Sequence, residues 1–246
     1  KDIKTPVEFI VIACCTYKRP EKLKCLLSSL TKINPPQDIP VKILIVDNDL
    51  EQSSKPVVEE FNNTLDIHYV IEKNKGLANA RNKALKTAIE LNASHLAFID
   101  DDETADKNWI TAHVDFYNRF ENIYISNGPV YPKFKKNTPN YIIKNKIFAP
   151  YSCEQLAKIK RICPSNNVFL ALNTVKNNEI YFSQEFNSSG GEDTDFFTRM
   201  SSAGFCIGWN YNAVVFEAQD ENRTNIKWIL ERAYNVGRTT GYLKIK

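Results

Sequence analysis

The chain has no run approaching the roughly 18 consecutive apolar residues that a membrane-spanning helix requires, and its first residues do not read as a signal peptide. It has no Cys-x-x-Cys pair: Cys14, Cys15, Cys25, Cys153, Cys163 and Cys206 lack the spacing of a zinc or dithiol site. Cys14, Cys25 and Cys206 stand in apolar surroundings, as reduced core cysteines do. The expected compartment is therefore reducing and cytoplasmic, which leaves the Asn-x-Ser/Thr sequons unused. Nor does one sign of charge dominate, since a net charge of +3 does not argue for nucleic acid. What remains is ordinary globular composition, 43% hydrophobic and 25% charged over 246 residues, enough for one large α/β domain or two small ones.

The most unusual stretch is Leu96-Ala97-Phe98-Ile99 followed by Asp100-Asp101-Asp102-Glu103. A short apolar run predicts a buried strand, and four acids at its end repel one another unless a positive group shares the site. If the backbone stays extended, Asp100 and Asp102 point the same way. Two carboxylates at the carboxyl end of a sheet strand suit a hard divalent cation, Mg2+ or Mn2+. The plainer alternative is a solvated acidic turn that closes the strand.

Phe9–Cys14, Lys42–Val46 and Ile67–Ile71 also read as strands. Between them, Pro20 opens an amphipathic helix with Leu23, Leu26, Leu27 and Leu30 at helical spacing. Gly76 opens another, with Leu77, Ala80, Ala84, Leu85 and Ala88. This alternation predicts a parallel, doubly wound sheet that binds its ligand beyond the carboxyl ends of the strands, where Thr16, Asp47 and Asp100 lie.

The second half is less regular. A helix over Trp109–Phe120 and strands over Ile123–Ser126, Asn167–Leu172, Cys206–Trp209 and Ala213–Phe216 are expected, with Glu217 closing the last. Between Tyr131 and Arg161 the periodicity is weak, and eight basic residues accompany a single acid, Glu154. Interleaved aromatics from Tyr131 to Tyr151 suit that basic stretch to an acceptor or to anionic lipid, and a solvated loop is the alternative. Gly190-Gly191-Glu192-Asp193-Thr194-Asp195 opens a helix, whose dipole favours acids in its first turn; the functional alternative is that one of them is a general base. An amphipathic helix over Asn225–Arg238 ends the reading.

Five motifs, taken in order, resemble a family 2 glycosyltransferase of the GT-A fold. They are Thr16-Tyr17-Lys18-Arg19-Pro20, Ile45-Val46-Asp47-Asn48-Asp49, Gly76-Leu77-Ala78-Asn79-Ala80-Arg81-Asn82, Phe98-Ile99-Asp100-Asp101-Asp102 and Gly191-Glu192-Asp193-Thr194-Asp195. The resemblance spans about Phe9 to Arg238 and covers the basic stretch least well. It implies a metal-dependent, inverting transferase that moves a sugar from a nucleotide-diphosphate donor, commonly a uridine one, to an acceptor hydroxyl. It also implies an α/β GT-A domain over the whole chain, with residues 1–105 binding nucleotide and 106–246 forming a smaller acceptor-side region that carries the basic loop at 131–161.

Residue by residue, the resemblance places Asp47 at the nucleobase, with Thr16 and Arg19 beside it, and Arg81 near base and phosphates. Asp100 and Asp101 fall in the nucleotide-sugar site, Asp102 on the Mn2+ or Mg2+, and Asp193 at the catalytic base. Glu217 stands where many members have a metal-binding histidine, so an oxygen ligand there is a departure. Glu192, Arg223 and Arg238 are candidate acceptor or phosphate contacts, and Arg232 lies on the same helix as Arg238. The implied partners are the nucleotide sugar and a saccharide or lipid-linked acceptor, without nucleic acid, at a cytoplasmic site with peripheral contact at the inner membrane face. A nucleotidyltransferase or sugar-nucleotide pyrophosphorylase shares the sheet and metal logic, but Cys15–Arg19 holds no glycine. A nucleic-acid module built on the basic stretch leaves the four acids unexplained.

Overall fold

The computed structural model describes residues 4–148, 156–157, 159–160, 162–187 and 190–245. In β1 (Ile10–Thr16), Ile10, Ile12 and Cys14 face one side of the sheet, Val11 and Ala13 the other, and all five are fully buried. Such a strand needs cover on both faces. On the Ile10 side it comes from α1 (Pro20–Leu30) and, after β2 (Val41–Asp47), from α2 (Lys55–Phe61). On the Val11 side it comes from α3 (Leu77–Glu90), which follows β3 (Ile67–Ile71). β4 (His95–Phe98) completes a parallel run in the order β3-β2-β1-β4.

Beyond β4 the pairing becomes mixed. β5 (Glu103–Ala105), α4 (Trp109–Arg119), β6 (Ile123–Asn127), β7 (Val130–Lys133), α5 (Asn140–Ile143) and β8 (Ile159–Lys160) precede β9 (Val168–Ala171). β9 inserts antiparallel between β4 and β6. Its direction follows from its entry point: Asn167 donates its N–H to the Phe98 carbonyl, so β9 starts where β4 finishes. Then come α6 (Leu172–Lys176), α7 (Glu192–Ser202), β10 (Cys206–Trp209), β11 (Val215–Ala218) and α8 (Ile226–Ile245). β10 extends the main sheet between β6 and β8, while β11 joins β5 and β7 in a second sheet of three strands.

Three expectations change. The stretch from Tyr131 to Arg161 is not one loop, since it contributes β7, α5 and β8; Tyr151, Glu154, Lys158 and Arg161 lie outside the described residues. Cys25 is exposed on α1 rather than in the core, because the buried stripe at Leu23, Leu26, Leu27 and Leu30 leaves it on the outer side. α2 has no counterpart in the sequence reading: seven residues with a proline in the first turn are too few for a periodic stripe.

The core under β9 is aromatic. Phe169 is fully buried, stacked on His95 at 4.9 Å and packed on the edge of Tyr117 at 5.9 Å. Phe169→Ala is therefore expected to lower the unfolding free energy by about 3–5 kcal/mol in urea melts, the usual cost of emptying a ring-sized core site.

Candidate active site

A cleft of about 1160 Å3 opens beyond the carboxyl ends of the parallel strands and is bordered on its far side by α8. The four acids after β4 enter it, but not along an extended path. The Glu103 N–H bonds the Asp100 carbonyl at 3.1 Å, so the chain turns, and the expected pairing of Asp100 with Asp102 on one strand face does not form. Asp101 and Asp102 instead share a cation, Arg19. Asp101 accepts from the Thr16 hydroxyl at 2.9 Å and from the Arg19 guanidinium at 3.1 Å. Asp102 Oδ2 lies 3.5 Å from Arg19, 3.4 Å from Lys22 and 3.4 Å from Arg223. Glu103 is buried below, accepting from the Asp100 N–H and from Asn166, each at 2.9 Å; burial, then Asp100, pushes its carboxyl well up.

Asp100 behaves differently. Its side chain is 43% exposed and borders the cleft, and Arg81 stands 3.8 Å away. Enclosure by protein pushes its carboxyl up to about 7, opposed by Arg81 and reinforced by Asp102 and Asp101. A carboxyl raised in the folded state binds more protons folded than unfolded, so its stabilising contribution is complete below about pH 4 and is lost as pH rises toward 7. Asp100→Asn removes that loss. The melting temperature of the variant minus that of the wild type is expected to grow between pH 4 and pH 8 in metal-free buffer, and a flat difference would contradict it.

Arg81, on α3, is buried and salt-bridged to Glu192 in the first turn of α7. Burial works against its charge, and Asp100, Glu192 and Asp193 outweigh that. Glu192 is thus the partner that holds Arg81 in place. Its neighbour Asp193 is half-buried, borders the cleft and accepts the Thr194 N–H at 2.7 Å. Asp195 points to a structural role, pairing with Arg199 one turn on at 2.7 Å.

The cleft wall near α3 depends on Gly76, whose φ is +141° and whose N–H bonds Asn48 at 2.9 Å. A Cβ there would meet Asn187 Oδ1 at 2.3 Å, so only glycine fits. Asp47 is not brought into the cleft. It is fully buried, accepts from the Asp49 N–H at 3.0 Å and the Tyr69 hydroxyl at 2.7 Å, and so fixes the loop from which Asn48 borders the cleft. Behind the opposite wall the buried Asn167 is a hub. Its Oδ1 accepts from Trp109 at 2.8 Å and pairs with His113 at 2.9 Å, while its amide donates to the carbonyls of Pro129 and Ala213.

Glu217, on β11, borders the cleft and accepts from Gln219 at 2.8 Å and Arg223 at 2.9 Å; burial, then Asp102, pushes its carboxyl up. Arg238 is exposed on α8 and does not line the cleft; Arg232 and Trp228 do, because they share the inward face of the helix. Lys22 and Trp228 are the residues that sequence reasoning missed. Lys22 sits on the polar side of α1 next to the Pro20 signal, and only tertiary structure shows that it reaches Asp102 and, at 2.5 Å, Asp220. Cys15 also borders the cleft, but burial pushes its thiol up to about 12, which disqualifies it as a nucleophile.

Asp102 and Glu217 offer hard carboxylate oxygens, and the carboxyls of Glu217 and Asp100 are raised in part by Asp102 beside them. Carboxylates so crowded fit an oxygen-seeking cation such as Mg2+ or Mn2+. Among the described residues no group of three His, Cys, Asp or Glu side chains is placed to hold a metal ion.

Residues 11–184 match the family described as Glycosyl transferase family 2. Over 236 residues the chain is 32% identical to the succinoglycan biosynthesis protein ExoM of Rhizobium meliloti (strain 1021), covering 95% of this chain and 74% of that protein. It is 25% identical to the hyaluronan synthase of Pasteurella multocida over 78% of its own length but only 23% of that enzyme. Among solved structures, S. aureus TarS 1-349 in complex with UDP-GlcNAc is similar with a TM-score of 0.64 at 20% identity, over 87% of this chain and 59% of that one. The mannosyltransferase PcManGT from Pyrobaculum calidifontis, in complex with GDP-Man and Mn2+, reaches a TM-score of 0.69 at 15% identity, over 100% of this chain and 68% of that one. The chain therefore spans about three-fifths of the TarS chain and less than a quarter of hyaluronan synthase. With a GT-A-like sheet and the family match over most of its length, the chain belongs to glycosyl transferase family 2 and is a glycosyltransferase.

Proposed function

We propose that the chain moves a sugar, with inversion, from a nucleotide-diphosphate sugar to a hydroxyl of a saccharide or lipid-linked acceptor in polysaccharide, lipopolysaccharide or glycolipid synthesis. The observation that carries this reading is the meeting of Asp100, Asp101 and Asp102, the buried Arg81 and Asp193 in one cleft. The half up to residue 105 serves the donor, and the remainder serves the acceptor while lending Glu217 and Arg223 to the donor side. The names of ExoM and hyaluronan synthase favour a polysaccharide product. UDP-GlcNAc and UDP bound to TarS favour a uridine donor, and GDP-Man with Mn2+ on PcManGT supports the class and the metal.

A departing diphosphate needs positive charge. Arg19, Lys22 and Arg223 converge within 3.5 Å of one Asp102 oxygen, and exchange of that oxygen for phosphate oxygens keeps all three satisfied. Arg81, held by Glu192, adds a fourth cation that cannot swing away. Asp102 and Glu217 are the residues that would hold Mn2+ or Mg2+, which when bound supplies further stabilisation of the charge leaving on the diphosphate. Asp193 takes the acceptor proton: the Thr194 N–H orients one carboxylate oxygen, and the element carrying it is separate from the Asp102 turn. Exposed Lys133, Lys135, Lys136 and Lys144 support peripheral contact with an anionic membrane face, and among the described residues no helix is long and apolar enough to cross one.

Thermal-shift titration with nucleotide sugars, with and without Mn2+, tests the reading. A donor at 100 times its Kd adds about 2.7 kcal/mol to the native state, so the melting temperature of the chain is expected to rise, and to rise further with metal present. No rise with any nucleotide sugar, in either condition, contradicts the proposal.

A further inference from the structure

Recognition of a sugar asks for a flat apolar surface under its C–H face and planar polar groups around its hydroxyl rim. α8 offers both to the cleft. Trp228, Glu231, Arg232 and Asn235 all border it, and their spacing of three, four and seven residues puts them on one face of the helix. Trp228 is half-buried and its indole is stacked on Phe148 at 5.6 Å and 14°, with Phe134 packed edge-on against Phe148 at 5.3 Å. A ring already immobilised in this way loses little further freedom when a ligand settles on it. The residues assigned above to donor, metal and base come from the strand ends, α1, α3, α7, β11 and the turn at Arg223 that precedes α8, and none of them lies on this helix face.

We propose that the inward face of α8, with Trp228 as platform and Glu231, Arg232 and Asn235 around it, is the subsite for the terminal sugar of a saccharide acceptor. The proposal rests on the glycosyl-transfer reading and assigns it a receiving surface. The competing account is that Trp228 merely docks α8, whose Ile226, Leu230 and Tyr234 are otherwise exposed.

Intrinsic fluorescence compared between wild type and Trp228→Phe separates the two: Trp109 is fully buried, Trp209 borders the cleft but is only 2% exposed, and Trp228 is half-exposed there. The full chain, with UDP and Mn2+ present, is titrated with a panel of neutral and uronic-acid-containing tetrasaccharides. The expected result is a saturable change in tryptophan emission with at least one of them. By calorimetry, Trp228→Ala then weakens that saccharide about 10- to 100-fold, and Trp228→Tyr restores it to within about threefold of wild type. A wild-type chain that binds UDP but shows no emission change with any tetrasaccharide overturns the proposal. So does a Trp228→Ala chain that loses UDP and saccharide together, which is the signature of a docking residue. A wild-type chain that binds no nucleotide of any kind overturns the glycosyl-transfer reading itself, and the subsite with it.

Discussion

Asp102→Ala is expected to lower kcat for sugar transfer about 10²- to 10³-fold and to abolish the Mn2+-dependent part of the nucleotide thermal shift, because it removes a group acting on charge that develops in the transition state. Two effects oppose each other in this variant. Loss of the carboxylate frees Arg19, Lys22 and Arg223 for phosphate, which strengthens binding of the nucleotide alone. It also removes an oxygen ligand, which weakens the metal. The first acts on the bound ground state and the second on the departing diphosphate, so the variant is expected to bind nucleotide in metal-free buffer at least as well as wild type while losing turnover. Steady-state kinetics with calorimetry in chelator checks both. Wild-type kcat in Asp102→Ala removes Asp102 from the site.

The second large effect is at Asp193. Asp193→Asn keeps the shape and the acceptor oxygen for the Thr194 N–H, but it cannot take a proton. Transfer is expected to fall about 10²- to 10⁴-fold, the usual range for a lost general base. Donor affinity should stay within about twofold of wild type, because the role proposed for Asp193 is on the acceptor and the charge of Arg81 remains compensated by Glu192 and Asp100. If Asp193→Asn instead raised the donor Kd and left kcat intact, Asp193 would be a phosphate-side residue and the base would lie elsewhere.

How much of this could be read in advance depended on whether a signal was local. β1 and β4 announced themselves as apolar runs because both faces of the sheet are covered, and the acids that follow β4 marked the cleft. Gly76 and Arg81 were legible as one motif because a backbone constraint and a helix face lie five residues apart. What hid was whatever required distant pieces. The cations around Asp102 come from residues 19, 22 and 223, and no sequence window contains them together. β9 reads as a strand, but its reversed direction is set by where Asn167 bonds, not by its composition. The second sheet is built from strands of three and four residues, too short to show alternation. Asp47 shows the limit of a strand-end acid as a signal. The same residue that can face a ligand can instead cap its own loop, and here it accepts from Asp49, Ser54 and Tyr69. At the other end of the chain, periodicity found α8 but left open which arginine faces inward, and the cleft takes Arg232 rather than Arg238.

Anomalous diffraction from crystals of the chain grown with UDP and Mn2+ tests the central assignment most directly. The account predicts a manganese peak within about 2.5 Å of an Asp102 carboxylate oxygen, shared with the diphosphate, with Arg19, Lys22 or Arg223 turned from Asp102 onto phosphate oxygens. UDP bound in the cleft with manganese absent from Asp102, or seated on acids elsewhere, would contradict it.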